Sequence, residues 1–287
     1  MTTRYYLIFI FHCVLFLTKT SAQSSLPDSL FNQGNYKLAS LEYERLISGK
    51  SGAEKLNEWH CQRASCFKLL GDFTRAQVEL SRISYWNLSD SMVNKYRLET
   101  AFCDYLAGSF TDALFQTEQI NVTSGIELGD KAKIVLIKAL CYNELMEWNK
   151  AKGEAITFIR LSYNSELSDS ICSLLINSYQ TKNLPRIKSE KVANVLRMLP
   201  GLGQTYAGQL GEGLFNFSLN LAFLSFGIYE IVNTYYITGY FVGAIGINKV
   251  YFGGHARTAF LLEKHNYKQR KQFCEKIKNM IIMEKAD

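Results

Sequence analysis

The chain is poor in proline, histidine and tryptophan, with three, four and three in 287 residues. So little proline leaves long stretches free to be helical, because each interior proline would remove a hydrogen bond and break a helix. The cysteines form neither a Cys-x-x-Cys pair nor a Cys/His cluster, so a zinc site has no support. His60, His255 and His265 follow the N-terminal apolar segment, and each stands alone in the sequence. Gly201-x-Gly203 has neither the strand-turn-helix setting nor the lysine of a phosphate loop. An enzyme needs a nucleophile, a base or a metal within mutual reach. The expectation is therefore no catalysis, no catalytic residue, no metal and no cofactor.

What the chain does have is apolar residues, 47% of the total with 13% aromatics, which excludes a disordered protein. The net charge of +6 is unevenly spread: residues 24–181 carry 16 bases and 19 acids, residues 182–287 carry 14 and 7. The N-terminus has the layout of a secretory signal, with Arg4, an apolar run over residues 5–17 and a small-residue site at Thr20-Ser21-Ala22. Thirteen apolar residues fall short of the ~20 a spanning helix needs. Export, with cleavage after Ala22, is expected.

Four short phrases repeat at spacings of 37, 37 and 38: Gly34-Asn35-Tyr36 to Ala39, Gly71-Asp72-Phe73 to Ala76, Gly108-Ser109-Phe110 to Ala113, and Met146-Glu147-Trp148 to Ala151. A fixed period of this length implies stacked helical pairs. Each unit reads as two antiparallel helices joined at the phrase. In the second, helix A is expected over about 58–70 and helix B over 74–83, with Gly71 free to take the left-handed conformation that ends a helix. Ala64, Ala101 and Ala139 recur seven residues before the turn, where two helices can approach closely only if both side chains are small. Cys66, Cys103 and Cys141 share the position five before it and read as small core residues rather than disulfide partners. Ser89 and Ser168 are expected to cap the A helices of the third and fifth units. The fifth is degraded around Asn183 and looks like an end cap.

These features resemble the tetratricopeptide repeat over residues 28–181, with a period longer than the usual 34 and hence longer connections, at 87–91 and 121–125. The resemblance implies a solenoid whose groove, lined by its A helices, binds a protein or peptide. Transferring that register points to Lys68, Phe102, Tyr105, Leu136, Leu140 and Asn143 as groove residues. Packing between repeats is the alternative role for the apolar ones.

Beyond a helix expected at 188–199 comes Pro200-Gly201-Leu202-Gly203-Gln204-Thr205-Tyr206-Ala207-Gly208, then apolar runs at 214–232 and 235–252 separated only by Asn233-Thr234. The first run has enough Leu, Phe, Ile and Val to offset Asn216, Asn220 and Glu230 on membrane insertion. The second is weaker, but Gly239, Gly243 and Gly246 form a small-x-x-x-small face that could pack on the first. The motif Pro-Gly-x-Gly-Gln-x-Tyr-x-Gly, carried by Pro200, Gly201, Gly203, Gln204, Tyr206 and Gly208, resembles a family of bacterial membrane domains of unknown function. That family often follows a signal peptide and tetratricopeptide repeats, and the match covers residues 188–266. The resemblance implies an integral envelope protein and supplies no activity.

The expected architecture is all-α: signal peptide at 1–22, tetratricopeptide-like repeats at 23–183, a glycine-turn membrane hairpin at 184–266 and a basic tail at 267–287. Basic residues on both flanks of the hairpin suit anionic lipid headgroups better than nucleic acid. A hairpin puts both flanks on one side, which the positive-inside rule would make cytoplasmic and a cleaved signal makes periplasmic; the signal is given precedence. The leading functional expectation is a membrane-anchored exported scaffold binding a protein or peptide partner. The alternative is an oligomeric transport or membrane-assembly component in which the hairpin is active and Asn216, Asn220 and Glu230 face a polar interior.

Overall fold

The computed structural model describes residues 26–49, 52–120 and 126–282, and the protein is all-helical, without a strand among the described residues. The expected signal peptide and the 121–125 connection lie outside the described residues. The chain divides into two compact units, residues 1–172 and 173–287.

The first unit comprises α1 (Leu26–Asn32), α2 (Tyr36–Ile47), α3 (Ala53–Leu69), α4 (Phe73–Leu80), α5 (Asp90–Ala107), α6 (Phe110–Glu118), α7 (Leu128–Glu144), α8 (Trp148–Ser162) and the start of α9 (Ser165–Ser178). From α1 to α8 each helix packs on the next, and α5 also packs on α3 and α7. The repeated phrase explains the regularity. Gly34, Gly71, Gly108 and Met146 all take left-handed backbone, at φ 79°, 76°, 84° and 62°. The amide after each donates five residues back: Asn35 to Leu30, Asp72 to Phe67, Ser109 to Asp104 and Glu147 to Tyr142. That bond is the wider one of a Schellman closure, which satisfies carbonyls otherwise orphaned at a helix end. The aromatic of each phrase is then the first residue of the next helix.

Small residues set the helix spacing. Ala39, Ala76, Ala113 and Ala151 are fully buried, as are Ala64, Ala101, Ala139, Cys66, Cys103 and Cys141. All six described cysteines are free thiols. Core clusters follow one another along the helix pairs: Ala39, Tyr43 and Cys66; then Phe67, Leu80 and Tyr96; then Leu114, Ile137 and Cys141.

Local boundaries differ from expectation. Helix α3 starts at Ala53, five residues before Glu58, because Gly52 in extended backbone precedes it and Glu54 sits favourably in its first turn. Ser89 does cap α5, accepting from the Met92 amide at 3.4 Å. Ser168 caps nothing: it is buried inside α9, and Asn164 accepts from the Leu167 amide instead.

The second unit begins within α9 and continues through α10 (Glu190–Leu196), α11 (Leu202–Tyr206), α12 (Leu210–Val232), α13 (Tyr236–Thr238), a π-helical segment (Gly239–Ala244) and α14 (Ile245–Ile282). Helix α10 is shorter than the expected 188–199 because Lys188 is held outside it, its backbone bonded to the Asn266 side chain. The basic stretch from 267 is no tail. Phe273, Cys274, Ile277 and Ile281 are buried along one face of α14, and Phe273 meets Tyr179 edge-on at 5.7 Å. Their spacing of one, three and four residues keeps them on one helical stripe while the intervening lysines face water.

Helices α12 and α14 run antiparallel. Among the described residues α12 is the one helix long and apolar enough to cross a membrane. Asn233 and Thr234 turn the chain, Thr234 at φ 71° with the Tyr235 amide donating to Glu230, so the hairpin closes as the repeat turns do.

Candidate functional site

Two places gather the residues singled out from the sequence. The first lies between α5 and α7. Leu98, Glu99, Phe102 and Tyr105 come from one face of α5 and Lys133, Leu136, Ile137 and Leu140 from one face of α7, because residues three, four and seven apart share a helix face. Together they line a cavity of about 310 Å³. Leu98, Glu99 and Lys133 also line a second cavity, of about 360 Å³, toward the start of both helices, with Lys95, Glu127 and Asp130. The two form one groove, apolar at one end and charged at the other.

Four of the six expected groove residues, Phe102, Tyr105, Leu136 and Leu140, meet here. Phe102 is 43% exposed and stands over the opening, while Leu140 is buried in the floor. Lys68 reaches the groove from α3: its Nζ bonds Glu99 Oε2 at 2.5 Å and lies 5.8 Å from the Phe102 ring centre. Asn143 does not open onto the groove. At 1% exposure it is enclosed by helix packing, one turn beyond Leu140 where α7 turns toward its neighbours. Leu98, Glu99, Lys133 and Ile137 line the groove too and were missed by the register transfer, Glu99 and Lys133 being its charged members. Glu99 lies one turn before Phe102 and Lys133 one turn before Leu136 or Ile137, so extending the same face would have found both. Lys133 bonds Asp130 Oδ1 at 2.7 Å, which raises its pKa and keeps it charged.

A second polar arrangement lies on the other side of α3. Glu79 is buried and accepts from Arg63 Nη1 at 3.0 Å, from Arg82 Nη1 at 3.2 Å, and meets His60 Nδ1 at 2.9 Å. Arg63 also reaches Glu44 at 2.8 Å. His60, alone in the sequence, is thus paired in the fold. The cluster joins α2, α3 and α4, and its groups are engaged with one another.

The second place is the glycine motif. Pro200 precedes Gly201, whose φ of 85° opens α11. A Cβ on Gly201 would lie 2.1 Å from the Gly213 carbonyl oxygen, and one on Gly203 would lie 2.6 Å from Thr258 Cγ2. These two glycines let the backbone of α11 rest directly on the backbone of α12 and on the Thr258 side chain of α14. Tyr206 Oη accepts from the Ser189 amide at 3.0 Å and its carbonyl from Lys188 Nζ at 2.6 Å. Gly208, at φ 96°, turns the chain beside Lys188 and His265. Burial and the neighbouring Lys188 and Lys268 lower the His265 pKa. Gln204 is buried.

The asparagines bond within the hairpin. Asn216 Nδ2 donates to the Val250 carbonyl on α14 at 3.3 Å, and Asn220 Nδ2 donates to the Asn216 carbonyl at 2.8 Å. Glu230 lies at the far end, three residues before the turn at Asn233, beside Gly239. At the open end Arg257 Nε and Nη2 form a two-point pair with Glu212, both at 2.8 Å. Sequence spacing offered no signal for that pair, whose members stand 45 residues apart. No family model, curated protein or solved structure matches this chain.

Proposed function

We propose that this is an exported, membrane-anchored scaffold: a tetratricopeptide-like solenoid that holds a protein or peptide partner, carried on a glycine-turn helical hairpin in an envelope membrane. The observation that supports it most is the groove between α5 and α7, where Phe102, Tyr105, Leu136 and Leu140 line an apolar cavity open to solvent beside a charged one. An extended peptide suits such a groove, one apolar side chain entering beside Phe102 and its polar neighbours meeting Lys95, Glu99 and Lys133. The arrangement is suited to binding rather than chemistry, since Lys68 with Glu99 and Lys133 with Asp130 are engaged in ion pairs along its rim.

Membrane anchoring rests on α12, whose Leu214, Phe217, Leu221, Leu224 and Ile228 are exposed. Lys188 and Asn266 flank the hairpin in sequence and bond to each other, so both basic flanks sit at its open end, where anionic headgroups would meet them. The alternative of an oligomeric transport element has less to draw on, because the amide nitrogens of Asn216 and Asn220 already donate within one hairpin.

The test is photocrosslinking from position 102 in cells. A defined protein adduct that disappears when Leu136→Ala is combined with the probe supports the groove. Unchanged crosslinks from position 102 and from an exposed position on α8 overturn it. Maleimide accessibility of single cysteines introduced at Asn233 and in the repeats, from each side of the membrane, tests topology.

A further inference from the structure

In the second unit a cavity of about 470 Å³ opens between α12 and α14 beneath the motif. Gln204, from α11, lines it and is only 3% exposed. Its backbone carbonyl accepts from the Gln209 amide, but among the described residues nothing bonds its side-chain amide. Polar groups in a folded interior are almost always hydrogen-bonded, so an amide without a protein partner is available to a ligand. The motif thus places a residue whose amide has no protein partner on the lining of a space much larger than the ~30 Å³ that one water occupies.

The rest of the lining describes what would satisfy it. Phe215 and Val250 form apolar walls, and Phe215 is 69% exposed on the outer surface of α12. Arg257 and Glu212 both line the same space and pair with each other through Nε and Nη2, leaving Arg257 Nη1 outside that pair. Gly211 and Gly253 leave it open, since a Cβ on either would meet nothing within 4 Å. The Gln204 amide and an Arg257–Glu212 pair at one end of an apolar cleft that opens sideways from a membrane-type helix match an amphiphile whose polar head carries phosphate and ester oxygens.

We propose that this cavity binds one glycerophospholipid, its phosphate or ester oxygens accepting from Gln204 and Arg257 and one acyl chain lying along Phe215 and Val250. The inference rests on the reading of α12 and α14 as a membrane hairpin. The occupant is a specific lipid, distinct from those that merely surround the hairpin, because its head is held by Gln204 and Arg257 together.

The experiment uses the full chain, purified in detergent, stripped of lipid, incubated with phosphatidylglycerol and examined by native mass spectrometry. The wild type is expected to retain one lipid. Gln204→Leu, similar in size, is expected to weaken retention roughly three- to tenfold, the effect of one hydrogen bond. Gly253→Leu, placed where space is open, is expected to fold normally and to lose the lipid. Equal retention by all three folded proteins, or none by the wild type, overturns the site. Alkaline carbonate extraction separates this from the anchoring reading: a protein that washes off membranes refutes the hairpin's insertion, while one lipid retained through Gln204 upholds the cavity.

Discussion

A Cβ on Gly243 would lie 2.7 Å from the Cα of Gly227, so the two arms of the hairpin touch backbone to backbone. Substituting either glycine forces the helices apart. Gly243→Ala is expected to destabilise the second unit by about 1–3 kcal/mol, the usual cost of overpacking. Gly253→Ala, which meets open space, is expected to be near neutral. Thermal melts of both variants in one detergent check the pair, and equal melting temperatures would refute the backbone contact.

Met146 occupies a turn position that glycine holds in the three earlier phrases, at φ 62°. A side chain in left-handed backbone costs roughly 1–2 kcal/mol. Met146 is 42% exposed, so little packing is lost on removing it. Met146→Gly is expected to stabilise the chain by about 0.5–1 kcal/mol, less than the full strain because glycine also enlarges the unfolded ensemble. The reverse change, Gly108→Met, should destabilise it. Denaturant titration gives both signs.

Burial pushes the thiols of Cys103 and Cys141 up to about 12 and those of Cys61 and Cys66 to about 11. The thiolate is the reactive form, so at pH 8 these groups are almost entirely protonated, and Cys66, Cys103 and Cys141 are buried besides, with Cys61 partly so. Native protein is expected to take up a maleimide at these four positions far more slowly than denatured protein. Rapid native labelling, read by peptide mapping, would contradict the packing.

Glu79 accepts from two arginines and meets His60, yet its side chain is only 6% exposed. Glu79→Ala leaves Arg63 buried against a single remaining partner, and is expected to cost about 3–5 kcal/mol. Arg82→Ala removes a half-exposed partner and is expected to cost less than about 1 kcal/mol. Comparable losses in the two variants would mean that the cluster does not hold the helices.

His265 has a folded pKa below its ordinary 6.5, chiefly from burial and then from Lys188 and Lys268. Below about pH 6.5 the unfolded chain takes up a proton that the folded chain resists, so stability falls as pH drops through that value. The drop in melting temperature between pH 7.5 and 5.5 is expected to be smaller in His265→Gln than in the wild type.

Much of the first unit could be read directly. Turn residues, helix starts and buried alanines follow from local chemistry, because a left-handed position and a close helix crossing each admit few residue types. The groove was legible through Phe102, Tyr105, Leu136 and Leu140, whose spacing places them on one face. Asn143 was misplaced because a register transferred by spacing does not show how a neighbouring helix covers its end. The helical end of α14 was missed since lysines dominate its composition, and its four buried residues gain meaning only once a partner surface exists.

By itself, the amino-acid sequence determined the period of 37 to 38, the helical turns it enforces, the apolar length of α12 and the glycines able to bring backbones together. These are local properties, decided within a few residues by backbone sterics and side-chain size. Only the tertiary structure decided that Glu79 gathers His60 and Arg63, that Arg257 pairs with Glu212 and that Gln204 reaches a cavity with its amide unbonded. Those relationships join residues far apart in the chain, and chain folding alone sets which of them meet.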